Sequence, residues 1–155
     1  METFEAILER NRGRLARVAR AYAPGDAAQD LYQDILLQIW KSLERFQGRS
    51  HIDTWVYRIA LNTALTWRRR QLARPNAAAE VTESAIQLPA DERDPLRILE
   101  EFLASLTPAD RAVLLLYLED VSYREMAEIL GITENHVGVK LNRIKQTFIE
   151  RHIRG

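Results

Sequence analysis

The chain has 155 residues with 22 basic and 22 acidic side chains, so its formal charge is zero and no bulk polycation is present to coat nucleic acid. It has no cysteine, which excludes disulfide staples, zinc ribbons, thiol nucleophiles and redox pairs and suits a cytoplasmic protein. A hydrophobic content of 46% with only 6 Gly and 5 Pro favours a packed all-α fold over a turn-rich β fold.

No stretch approaches the roughly 18 uninterrupted apolar residues of a membrane span, so no signal peptide, anchor or membrane insertion is expected. Charge divides the chain unevenly. Residues 1–70 carry 12 basic and 8 acidic groups, residues 71–95 carry 2 and 5, and residues 96–155 carry 8 and 9. The acidic middle, QLARPNAAAEVTESAIQLPADERDP, holds three of the prolines and no sustained periodicity, the composition of an extended connector. Two small helical domains, 1–70 and 96–155, joined by a flexible acidic linker over 71–95, are therefore expected.

In the first domain Phe4, Ile7, Leu8, Leu15, Val18, Ala19 and Tyr22 keep helical spacing until Ala23-Pro24-Gly25-Asp26 ends the run. A second helix is predicted from Ala27 to Phe46, with Leu31, Tyr32, Ile35, Leu36, Ile39, Trp40 and Leu43 on one apolar arc. Asp30, Gln33, Asp34, Gln38 and Lys41 take the opposite side, and Leu37 is stranded among them as a partner-facing apolar group. A third helix is predicted over Ile52 to Arg70, with Ile52, Val56, Ile59, Ala60 and Trp67 inward. Trp40, Tyr57 and Trp67 are assigned to packing. Arg58, Asn62, Thr66 and Arg69, with Trp55 close by, form a polar, cationic and partly aromatic stripe on another side.

The second domain opens with Leu96 to Leu106. Thr107-Pro108-Ala109-Asp110 then starts a helix, since Thr caps well, Pro suits the first turn and Asp complements the positive end of the dipole. Ser122-Tyr123-Arg124-Glu125 is a capping box for the next helix. Gly131-Ile132-Thr133 turns the chain into a last helix, ENHVGVKLNRIKQTFIERH. Small Ala127 four residues before Gly131 gives the form of a helix-turn-helix unit. In the last helix Val137, Leu141, Ile144 and Phe148 make the ridge that holds it down. Asn135, Val139, Asn142, Arg143 and Gln146 lie opposite, with His136 and Lys140 at the flank. Asn and Gln bond adenine, Arg bonds guanine, and an apolar branch rests on a thymine methyl, so this face suits the major groove.

Together, DLYQDILLQIWKSLERFQGRSHIDTWVYRIALNTALTWRRR and LTPADRAVLLLYLEDVSYREMAEILGITENHVGVKLNRIKQTF resemble the small two-domain sigma factors of bacterial RNA polymerase, the extracytoplasmic-function group of the sigma-70 family. The resemblance implies a transcription initiation factor without catalysis of its own, joining sigma region 2 to sigma region 4. It implies that Asp30, Gln33, Asp34, Leu37 and Gln38 dock on the clamp helices of core RNA polymerase. Arg49, Ser50 and His51, followed by Trp55, Arg58, Asn62, Thr66, Arg68, Arg69 and Arg70, then open and hold the minus-ten promoter element. The last helix reads the minus-thirty-five element through Asn135, His136, Val139, Lys140, Asn142, Arg143 and Gln146, with Arg124 on a phosphate. One departure stands out. Gly138 and Val139 occupy positions where the family usually has a basic and a small hydroxyl residue. An anti-sigma protein is an implied partner, and the linker is implied to thread the polymerase channels.

Other classes fit less well. Asp30 and Asp34 lack the further ligands a metal needs, and no cofactor is expected. His51, His136 and His152 lie in three separate segments without a paired nucleophile, which argues against a hydrolase. A stand-alone helix-turn-helix regulator accounts for the second domain but gives the Trp55 to Arg70 stripe nothing to do.

Overall fold

The computed structural model describes residues 2–49, 51–73 and 94–153. Ser50 and most of the expected linker therefore lie outside the described residues. The chain folds as two compact units that divide between Asp94 and Pro95. Among the described residues all regular structure is helical.

The first unit is a three-helix bundle of α1 (Phe4–Tyr22), α2 (Ala27–Ser42) and α3 (Ile52–Leu72), each packed on the other two. Ile7, Leu15, Val18 and Tyr22 of α1 meet Leu31, Ile35 and Ile39 of α2 and Val56, Tyr57, Ala60, Leu61 and Ala64 of α3 in the core. Three alanines here, Ala19, Ala60 and Ala64, are buried and let the helix axes approach closely. The second helix stops earlier than its apolar arc suggests, giving way at Leu43–Arg45 to a 3-10 turn. At its far end α3 continues to Leu72, two residues into the expected linker.

Periodicity misplaced several side chains in this bundle. Ile59 and Trp67 are only partly buried, and Trp40 is 58% exposed, with one edge against Phe4 at 4.9 Å between ring centroids. Trp40 sits at the end of the apolar arc, and α1 covers only that much of α2. Conversely Asn11, a polar residue, is 2% exposed. Its side-chain amide donates to the carbonyl of Ile7 and to Asp53 Oδ1, both at 2.9 Å, so both its N–H groups are satisfied.

Asp53 is the other half of that arrangement. It stands in the first turn of α3, where the helix dipole favours a carboxylate. Arg10 donates to it from Nε at 3.0 and 3.1 Å and from Nη2 at 2.8 Å, and Arg10 also pairs with Glu2. Burial opposes ionisation of Asp53, but the hydrogen bonds from Arg10 and Asn11 and the Arg10 charge outweigh it and hold its carboxyl below the ordinary 3.8.

The second unit packs α4 (Pro95–Ser105), α5 (Pro108–Leu118), α6 (Tyr123–Leu130) and α7 (Glu134–His152) around Phe102, Ala112, Val113, Leu116, Met126, Val137, Leu141 and Ile144. Its helix ends follow the sequence closely. Thr107, Ser122 and Thr133 each accept a hydrogen bond at the predicted N-cap, from the amides of Asp110, Glu125 and His136. Gly131 ends α6 in the left-handed conformation, φ 71°, which allows the Ile132 amide to reach back to the Ala127 carbonyl. Arg111 is buried in the core, and its Nη2 donates to the carbonyls of Ala104 and Leu106, closing the end of α4. Phe102 and Phe148 stack edge to face at 5.1 Å and fix α4 against α7.

Asp53→Ala is expected to cost about 1 to 3 kcal/mol in urea denaturation of the full chain, because it strands the Asn11 amide. The sign of the pH effect follows from the lowered pKa. The Asp53 contribution is complete above its unfolded-state value and disappears as pH falls through the lower folded value, so the variant should show a flatter acid limb.

Candidate nucleic-acid interface

On α3, the residues that face away from the core are the ones the sequence grouped as a stripe. Arg58, Asn62 and Arg69 are exposed, and Thr66 is partly so, accepting from Arg69 Nη2 at 3.3 Å. Trp55 closes the N-terminal end of the stripe. Its ring tilts against Phe46, with centroids 5.1 Å apart, so an aromatic pair forms where the loop enters the helix. Phe46 stands at the break between the two helices, where the sequence places the start of the turn that leads into α3.

That loop is built by Gly48, whose φ of 74° bends it, and by His51, whose Nδ1 accepts from the Asp53 amide at 3.1 Å and caps α3. Arg49 and His51 are exposed beside the stripe. Arg70 lies one face further round, at the rim of a cleft of about 430 Å³. The cleft is lined by Asp34 and Gln38 from α2 and by Ile59, Asn62, Thr63, Thr66, Trp67 and Arg70 from α3. Two groups assigned to polymerase thus share a cleft with groups assigned to DNA. Arg68 does not join them. It falls on the core side of α3 and is half-buried, with Nε enclosed and without a hydrogen-bond partner among the described residues.

Of the remaining α2 residues, Asp30, Gln33 and Leu37 are exposed on the outer side. Leu37, at 47% exposure, is an apolar side chain in a polar setting, as its spacing suggested.

In the second unit α7 is the second helix of the helix-turn-helix. Asn135, His136, Val139, Asn142, Arg143 and Gln146 are all exposed on the side opposite Val137, Leu141 and Ile144. Lys140 behaves differently. Its ammonium is 3.2 Å from Asp110 Oδ1, both side chains being only 19% exposed, so it ties α7 to α5 instead of pointing outward, while the 62% exposed Arg143 approaches the same oxygen at 3.7 Å. Arg124 is exposed at the start of α6. Beside it Tyr123 leans over the recognition helix, and a β-carbon added at Gly138 would lie 3.6 Å from its ring. Tyr123 was not singled out from the sequence, because contact across the turn has no periodic signal.

A helix-turn-helix joined to a separate bundle with a cationic, partly aromatic surface defines a DNA-handling protein. The family comparisons agree. The Sigma-70 region 2 family model matches residues 7–74, and the Sigma-70, region 4 model matches residues 96–148. The chain belongs to the sigma-70 family of RNA polymerase sigma factors, in its extracytoplasmic-function group. The RNA polymerase sigma factor YlaC of Bacillus subtilis is 30% identical over 128 residues, covering 77% of this chain and 74% of the relative. The ECF RNA polymerase sigma-E factor of Escherichia coli K12 is 27% identical over 160 residues, 94% of this chain and 84% of the relative. The fold is shared with the sigma factor RpoE of Bartonella quintana, solved with the anti-sigma factor NepR. The TM-score is 0.73 at 22% identity, covering 95% of this chain and 94% of that one. CnrH, solved with the cytosolic domain of CnrY, gives 0.66 at 22% identity over 94% and 84% of the two chains. The protein is a transcription initiation factor that directs RNA polymerase to promoters, and a region 2 match across the first unit disfavours a stand-alone regulator.

Gly138 has helical geometry and needs no special backbone freedom, and the space beside it accepts a methyl group. Gly138→Ala is therefore expected to raise stability by about 0.5 to 1 kcal/mol, read as a higher denaturation midpoint of the full chain.

Proposed function

We propose that the two units divide promoter recognition between them, residue by residue. On α2 the acidic and amide groups Asp30, Gln33, Asp34 and Gln38 surround Leu37, a surface that suits a basic coiled coil with one apolar socket. This is the docking face for the clamp helices of core polymerase. On α3 and its preceding loop, Arg49, Ser50, His51, Trp55, Arg58, Asn62, Thr66, Arg69 and Arg70 hold the separated minus-ten strand. Unpairing costs a few kcal/mol, and stacking on Trp55, amide and hydroxyl contacts, and phosphate contacts from the arginines offset it. On α7, Asn135, His136, Val139, Asn142, Arg143 and Gln146 read the minus-thirty-five duplex while Arg124 holds a phosphate. Lys140 and Arg68 have secondary parts, since one pairs with Asp110 and the other faces the core.

The observation that carries this reading is the stripe on α3. An aromatic pair, two exposed arginines and an exposed amide lie along the face opposite Val56, Ala60 and Ala64, where a duplex reader has no use for them. The protein performs no catalysis itself and acts in the cytoplasm, where polymerase and chromosome are. An anti-sigma protein competes for the same surfaces; the related folds RpoE and CnrH were solved with NepR and CnrY.

The test mixes the purified chain with sigma-free core polymerase and assays run-off transcription from genomic fragments. Start-site selection is expected with core and not without it. Leu37→Lys should weaken association with core about tenfold or more and leave the fold intact. Arg143→Ala should leave association unchanged and relax the choice of upstream base at its position by about 1 to 3 kcal/mol, read from competition between promoter variants. Equal loss by both variants in both assays would overturn the division of labour.

A further inference from the structure

The recognition helix has a gap at the edge of its reading face, on the side toward α6. Gly138 contributes no side chain, and neighbouring Val139 is 55% exposed. Asn135 lies one turn toward the N-terminus and Asn142 one turn toward the C-terminus, both exposed, so an amide stands above and below the gap. Its remaining wall is the exposed Tyr123 ring from α6, 3.6 Å from where a β-carbon would be. The result is a shallow apolar notch, floored by helix backbone, walled by an isopropyl group and an aromatic edge, and bracketed by two bidentate amides.

We propose that this notch is a thymine-methyl site and that α7 selects an upstream element containing a thymine with adenine beside it. In the major groove only thymine presents a methyl group, and Asn is the natural bidentate partner of adenine N6 and N7. The missing side chain lets the helix backbone approach the base edges, the usual reason for glycine at a ligand surface. Cytosine in the same place would put a hydrogen, with its amino donor nearby, against Val139 and the Tyr123 edge, burying less apolar surface. Tyr123 and Val139 are then specificity-determining residues, and Gly138 is what makes room. The inference rests on α7 being the duplex reader.

The test uses the full chain with core polymerase and a promoter library randomised across the upstream element. Enrichment of a thymine next to an adenine at one position of the element is expected. Replacing that thymine by deoxyuridine, which removes only the methyl group, should weaken holoenzyme binding about fourfold, the effect of burying one methyl-sized group. The same replacement should be neutral in Val139→Ala, and Gly138→Arg should abolish the thymine preference while association with core is retained. Indifference of the wild type to deoxyuridine, or an undiminished methyl effect in Val139→Ala, would overturn the proposal. Failure of the underlying reading looks different: Arg143→Ala and Asn142→Ala would leave upstream selection untouched.

Discussion

The carboxylate of Asp53 is where α1 takes hold of the start of α3. Arg10 and Asn11 both donate to it, and Asn11 is otherwise a polar group sealed inside an apolar bundle. An unsatisfied amide in that position is costly, so the three side chains can be accommodated together only in one register of the two helices. Once the first turn of α3 is fixed, the 3.6-residue period determines everything after it. Val56, Ala60 and Ala64 go inward, and Arg58, Asn62 and Arg69 go outward. The functional face is a consequence of where the helix begins, and His51, the cap of that same helix, ties the preceding loop to it.

Helix positions in the second unit were legible because each end carries its own chemistry. Thr107, Ser122 and Thr133 cap, Gly131 turns, and α7 spans the residues read for it, Glu134–His152. The first unit was less legible at its edges. Periodicity registers which residues alternate, not how far a neighbour extends, so it assigns Trp40 to the interior although α1 covers only one edge of it, through Phe4. Nor can it register pairings between distant segments. Asn11 with Asp53, Lys140 with Asp110, and Tyr123 beside Gly138 all join residues on different helices, and each changes the role of a side chain that looked ordinary along its own helix. Arg68 stands next to Arg69 in sequence yet faces the core, a difference one residue of helical rotation makes.

The α2–α3 cleft bears on how recruitment and strand capture are linked. Asp34 and Gln38 reach it from the helix assigned to polymerase, and Asn62, Thr66 and Arg70 from the helix assigned to DNA. On the proposed reading, a partner seated on the outer side of α2 adjoins, with no intervening layer, the groups assigned to the strand. Coupling of this kind would need no long conformational relay, because the two surfaces have a common border.

The pairing of Lys140 with Asp110 sets how the second unit responds to ionic strength. A lysine that meets a phosphate displaces condensed counterions, and each such event steepens the decline of affinity as salt is added. Lys140 is already neutralised by a carboxylate at 3.2 Å and half-hidden between helices, so it contributes little to that release. Arg143, more exposed, lies 3.7 Å from the same carboxylate, so on the proposed reading upstream recognition by α7 leans on amides and Val139, groups whose energy comes from fit to base edges, and should tolerate concentrated electrolyte better than its place in a DNA-binding helix would suggest.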